Sequence, residues 1–317
     1  MKHNLKITAI LLTMFVVTQF IGLAVLKADV FYFEQEIEGK MEKVVNPYLF
    51  WIAPPEVKTQ KDSFSMLGSL IMAFIIAITL LFFLTKFKIE FFLKAWFFMV
   101  VVIALFLTFY AFEKLVPFVI HPIAAIIIPL IFASILGFIK IFRRNFLIHN
   151  FTELLIYPGI AAVFVPILNL WTIIILLIII SIYDMWAVWH SGIMQKMAKY
   201  QINKLNIFSG FFVPYVSKKL KIKIKLMKQT LKKSELKKKK IKINVAILGG
   251  GDVIFPIITA GVMMKLFGIW HALFVIAGAT LGLTYLFFFS EKKKFYPAMP
   301  FITAGIFIGM ILSYILL

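Results

Sequence analysis

Two carboxyl groups in this sequence stand where carboxyl groups are costly. Asp184 lies in the run IIISIYDMWAVWH and Asp252 in ILGGGDVIFP, both otherwise suited to lipid. An acid at the centre of a spanning helix costs about 2.5–3.5 kcal/mol even on the lenient insertion scale, and such residues face a cavity or a partner. Asp184 stands about six residues from the end of its run near His190, and Asp252 about eight from the start of its run near Asn244, depths of roughly 9 and 12 Å. Consecutive spans run antiparallel, so the two carboxylates come level. Facing carboxyls share a proton, and the pair can then do hydrolysis: one activates a water while the other polarises the carbonyl it attacks. Gly249, Gly250 and Gly251, directly before Asp252, leave room for an extended backbone to approach. Taken alone, they would read as a small-residue packing face.

The elements that must hold this pair follow from composition. The chain has 317 residues, 62% of them hydrophobic, with 36 Phe and no Cys, which marks a polytopic membrane protein without disulfides or thiolate metal sites. Runs long enough to span lie near 5–26, 64–85, 91–112, 117–139, 151–168, 170–190, 244–267, 268–289 and 297–317. The expected fold class is all-α, a polytopic membrane protein with nine transmembrane helices. The fifth helix is short and joined tightly to the sixth near Pro166 and Asn169. The first run resembles a signal peptide but is long and lacks a small-residue cleavage site, so it reads as a retained span. The chain divides into helices 1–6 (1–190), a basic loop (191–243) and helices 7–9 (244–317), one membrane domain in all. Glu113 and Glu153 read as interfacial.

The net charge of +20 would suggest nucleic acid in a soluble protein. Here the lysines gather in loops, so the charge reports orientation and contact with membrane lipid, and no nucleic-acid partner is expected. Most of the 34 Lys and Arg fall on the side of the N-terminus and loop 191–243, which makes that side cytoplasmic and puts the C-terminus outside.

Three short motifs in register give the sequence a family likeness. Tyr183-Asp184 in the sixth span, Gly-Gly-Gly-Asp at 249–252 in the seventh and Pro-Ala-Met-Pro at 297–300 opening the ninth resemble those of the GxGD intramembrane aspartyl proteases. That family comprises the presenilins, the signal peptide peptidases and their archaeal homologues. The sequence departs at Gly250, where members often carry Leu, and at Met299, which replaces a Leu of similar volume. The resemblance implies a presenilin-like fold in a prokaryotic or archaeal cell membrane. It implies Asp184 and Asp252 as the catalytic pair, with Tyr183, Gly249, Gly251, Pro297, Ala298 and Met299 shaping the site. It also implies cleavage of single-span transmembrane proteins by water, with no cofactor, no metal and no obligatory activating subunit. A homo-oligomer stays open. The loop 191–243 lacks the apolar segment of the presenilin autocleavage region, so cutting is not expected to be needed for activity.

Within that loop, KKLKIKIKLMK (218–228) and KIKINV (240–245) alternate Lys with Ile or Leu, the period of a strand. Ile241, Lys242, Ile243, Asn244 and Val245 could present an edge to which an unwound substrate pairs. The alternative is a solvated basic loop on anionic lipid. The five histidines are scattered and show no H-E-x-x-H, and no G-x-S-x-G elbow occurs. The competing function from another class is a proton- or cation-coupled transporter that uses the Asp pair as its carrier site. It would be favoured by repeated halves and a midplane site, and neither is visible.

Overall fold

The computed structural model describes residues 5–37, 40–55, 57, 59–86, 90–116, 121–143, 145–191, 209–215, 244–290 and 296–317. Nine long helices appear among them: α1 (Leu5–Lys27), α2 (Gln60–Lys86), α3 (Glu90–Leu115), α4 (Pro122–Phe142), α5 (Phe146–Phe164), α6 (Leu170–Trp186), α7 (Gly250–Phe267), α8 (Ile269–Phe289) and α9 (Met299–Leu316). Among the described residues, eight of these meet the length and apolarity needed to cross a membrane, and α2 carries the apolar run 64–85 expected as the second span. Two hairpin-like strand pairs complete the fold. β1 (Tyr32–Ile37) pairs with β2 (Lys40–Val45), and β3 (Gly210–Tyr215) with β4 (Asn244–Gly249), both antiparallel.

Local chemistry sets the boundaries. Asn145 caps α5 by accepting from the N–H groups of Leu147 and Ile148, so the fifth span begins five residues before the expected 151 and is not short. A 3₁₀ turn, Val165–Ile167, ends it. Asn169 and Thr172 form a reciprocal capping box that opens α6. Pro122 occupies the first turn of α4, where its missing N–H costs nothing.

The seventh span corrects an expectation. Its helix starts at Gly250 rather than 244, because Asn244–Gly249 are extended and paired with β3, Gly210 standing opposite Gly249. The hairpin β1–β2 in the first loop was not foreseen either.

Two apolar cores pack the bundle. One gathers buried residues of α1, α5, α6, α7, α8 and α9, such as Leu11, Ile173, Ile257 and Ile302. The other joins α3, α4 and α5 beneath the β1 end of the first loop, around Leu105, Phe106 and Phe31. The helices α8 and α9 touch backbone to backbone: a Cβ on Gly278 would collide with the Gly305 carbonyl, and one on Gly305 with the Gly278 carbonyl. Such close approach is how helices associate where lipid offers no hydrophobic drive. α9 is tied to α6 by a hydrogen bond of 2.9 Å between Ser181 Oγ and Thr303 Oγ1.

Candidate active site

Asp184 sits in the last turn of α6 and is 8% exposed. Its Oδ2 accepts the Met299 N–H at 3.0 Å, and the Ala298 N–H donates to the same carboxyl. The Pro-Ala-Met-Pro sequence explains why. The first N–H groups of a helix have no partner inside it, and Pro297 and Pro300 contribute none. Ala298 and Met299 are the motif's two donors, and both are spent on Asp184 at the positive end of α9. Pro297 and Met299 are buried and Ala298 is half-buried, so the donors are shielded from competing water.

Asp252 occupies the first turn of α7, with Gly249 as the N-cap. The Gly249 N–H donates to its carboxyl, which is the reach-back half of a capping box. A Cβ on Gly249 would lie 3.1 Å from Asp252 Oδ2, so the small residue lets the carboxyl fold over the cap. Gly250 is held by packing: its Cβ would lie 2.9 Å from the Tyr157 hydroxyl and 3.0 Å from Ser209 Oγ. Gly251 is exposed, with nothing nearer than Phe255 at 3.8 Å from a built Cβ. The three glycines are therefore a cap, a contact with α5 and an open position, not one packing face. Pro256 lies inside α7; lacking an N–H, it leaves the Asp252 carbonyl without its helical partner.

The two carboxyls lie on helices that pack against one another, Asp184 closing α6 and Asp252 opening α7. They stand at the end of one helix and the start of its neighbour, as the antiparallel reading requires. The depth of Asp252 is revised: it lies in the first helical turn, preceded by strand, not eight residues into a helix. Tyr183 is 43% exposed and rests its ring near Trp186, with centroids 6.3 Å apart. Asn244 and Val245 lie in β4. The rest of the strand expectation, Ile241, Lys242 and Ile243, lies outside the described residues, as does KKLKIKIKLMK.

Several polar residues near the site had no place in the sequence reading. Gln19 of α1, fully buried, donates from Nε2 to the Val253 carbonyl at 3.0 Å, one residue beyond Asp252. Glu153 is not interfacial: it is 1% exposed and bonded to Lys140. The signal was a Lys and a Glu each flanking apolar runs, with a His between them, but pairing between two helices cannot be read from spacing alone. Among the described residues, no three His, Cys, Asp or Glu gather as a metal site.

The family described as signal-peptide peptidase, presenilin aspartyl protease matches residues 49–317. Two solved structures of a presenilin family intramembrane aspartate protease share the fold. The one in space group C222 superposes at TM-score 0.59 with 15% identity, covering 98% of this chain and 99% of that one. The one in P2 gives 0.58 and 16%, with 97% of each chain covered. No curated protein sequence matches significantly.

Proposed function

The chain belongs to the signal-peptide peptidase and presenilin aspartyl protease family, and from that premise we propose that Asp184 and Asp252 are its catalytic pair. The protein is an intramembrane aspartic endopeptidase and a multi-pass membrane protein; the transporter alternative gains no support from the family. One observation carries the assignment of the pair. The two acids stand at the ends of helices that pack together, Asp184 closing α6 and Asp252 opening α7, and each is oriented by backbone N–H donors.

In the proposed mechanism a water lies between the carboxyls, which hold one proton between them. The ionised carboxyl takes a proton from the water as its oxygen attacks the scissile carbonyl, and the protonated one donates to the carbonyl oxygen. The resulting gem-diol collapses when the nitrogen is protonated and the C–N bond breaks. No covalent enzyme intermediate forms.

The substrates are single-span transmembrane proteins whose helix must unwind at the scissile bond. Its freed backbone groups need partners in a medium that supplies none. β4 pairs with β3 along one edge, and its other edge leads straight into Gly249 and Asp252. We assign that edge, at Asn244 and Val245, to pairing with the extended substrate; the alternation of Ile241, Lys242 and Ile243, outside the described residues, extends the assignment to them from sequence alone. Gly251 leaves space beside it. Tyr183, Pro297 and Met299 shape the site on the α6–α9 side. The catalytic face is cytoplasmic, in a prokaryotic or archaeal membrane, with the C-terminus outside; this orientation suits substrates whose N-terminus is outside. No obligatory activating subunit is expected, and a homo-oligomer stays open.

The deciding experiment is cleavage of a labelled single-span substrate by detergent-purified protein, beside Asp184→Asn and Asp252→Asn, with product masses. A cut inside the hydrophobic stretch that both substitutions abolish is the expected result. Cleavage retained by Asp252→Asn would overturn the assignment of the pair.

A further inference from the structure

The start of α5 carries polar side chains that the proposed chemistry does not use. Lys140, near the end of α4, is ion-paired with Glu153, their side chains 4% and 2% exposed. His149 stands one turn before Glu153, its Nδ1 3.3 Å from Lys140 Nζ, its Nε2 2.9 Å from the Gly210 carbonyl and 3.5 Å from Glu153 Oε1. An ammonium only donates and a carbonyl only accepts, so Nδ1 offers its lone pair and Nε2 carries the hydrogen. The ion pair thus fixes both the tautomer and the orientation of the ring.

What this ring grips is strand β3. Its Nε2–H holds the Gly210 carbonyl, and Asn150 holds the next residues: its Nδ2 donates to the Phe212 carbonyl at 2.9 Å while the Phe212 N–H donates to its Oδ1 at 3.1 Å. The His149 ring lies against Phe212, centroids 4.6 Å apart, and Tyr157 meets Phe211 edge-on at 5.6 Å. One helix therefore binds one short strand by three hydrogen bonds and two ring contacts. That strand opposes Gly210 to Gly249, and the Gly249 N–H donates to Asp252.

A buried ion pair is weak evidence for stability, since desolvation consumes most of its attraction; orientation of a neighbour is a better-supported use. We infer that His149, oriented by Lys140 and Glu153, and Asn150 beside it are positioning residues that set Asp252 through β3 and β4. Their effect reaches the reaction through the placement of Gly249 and of the strand edge beside it. The inference rests on Asp184 and Asp252 being the catalytic pair.

The test measures kcat, KM and product masses for the full-length protein with a labelled single-span substrate, per folded molecule. The variants are Asn150→Ala, His149→Leu, His149→Gln and Asp252→Asn. Misplacing a reacting group by about 1 Å can cost a factor on the order of 100 in rate. Asn150→Ala and His149→Leu should lose about 10- to 100-fold in kcat with Tm little changed, and should move the principal cut along the substrate. His149→Gln, whose Nε2 can still donate to the Gly210 carbonyl, should recover most of the rate and the original cut.

Wild-type kcat and an unmoved cut in Asn150→Ala and His149→Leu would overturn the inference. So would a loss that tracks the folded fraction, with His149→Gln no better than His149→Leu. If Asn150→Ala does not accumulate folded, the two His149 variants decide alone. An Asp252→Asn protein that still cleaves sinks the pair itself. A dead Asp252→Asn beside a fully active Asn150→Ala sinks only the positioning role.

Discussion

The backbone N–H of Met299 lies 3.0 Å from Oδ2 of Asp184, joining residues 115 positions apart. The first turn of the last helix thereby acts as the anion site for an acid on the sixth. Side-chain identity matters little for such a contact, whereas the presence of a free N–H matters a great deal.

Removing one of those donors should therefore damage catalysis more than changing the side chain that accompanies it. Ala298 has φ −87, close to what proline accepts, so Ala298→Pro deletes a donor while the helix still starts. A hydrogen bond to a charged group contributes about 1.5–3 kcal/mol, and kcat should fall roughly 10- to 100-fold. Met299→Leu keeps the N–H and the volume, and should stay within about threefold of the parent. Steady-state cleavage of a labelled substrate checks both.

Asp184→Asn and Asp252→Asn should each reduce cleavage by at least about 100-fold, the lower range for loss of a general acid or base. Both proteins should keep their Tm, because the amide oxygen still accepts from Met299 or Gly249. A melting curve run beside the assay separates lost chemistry from lost fold.

The glycines before Asp252 should respond unequally. Gly250→Ala brings a methyl to 2.9 Å from the Tyr157 hydroxyl, and should cost about 1–3 kcal/mol of stability as an overpacked contact. Tyr157→Phe in the same chain should return part of that loss. Gly251→Ala meets nothing closer than 3.8 Å; its Tm should hold, while kcat/KM falls because the methyl enters the space reserved for substrate. Thermal melting and cleavage kinetics on the four proteins resolve the pattern.

Cleavage should depend on pH as a bell. At low pH both carboxyls are protonated and no base is left to activate water; at high pH both are ionised and no acid is left for the carbonyl. A kcat/KM profile that rises through one arm and never falls would speak against a shared proton.

The sequence carried much of this site, and physics explains which parts. Asp184 and Asp252 stood out because a charge inside an apolar run is costly wherever it sits, so no structure was needed to see them. The nine helices were legible for the same reason: lipid demands length and apolarity from every span. Asn244–Gly249 was harder. Its apolar residues continue into α7 without a break, and hydropathy does not separate a strand from a helix; only the pairing with β3, a distant segment, makes the difference. Glu153 was misplaced because acids near span ends are usually wet, and its partner Lys140 lies on another helix. Hydrogen bonds such as those of Asn150 with Phe212 depend on side-chain direction, which spacing does not encode.

The contact between Gln19 and the Val253 carbonyl bears on how small this enzyme could be. The family match begins at residue 49, beyond α1, so all three motifs lie in the matched part. Yet α1 inserts a buried amide one residue from Asp252 and contributes Leu11, Phe15 and Leu23 to the core around α7. A polypeptide starting at residue 49 would hold both acids and all three motifs but leave that flank of α7 to lipid. The packed unit is thus larger than the portion that carries the family's signature: α1 lies outside the matched residues and inside the core.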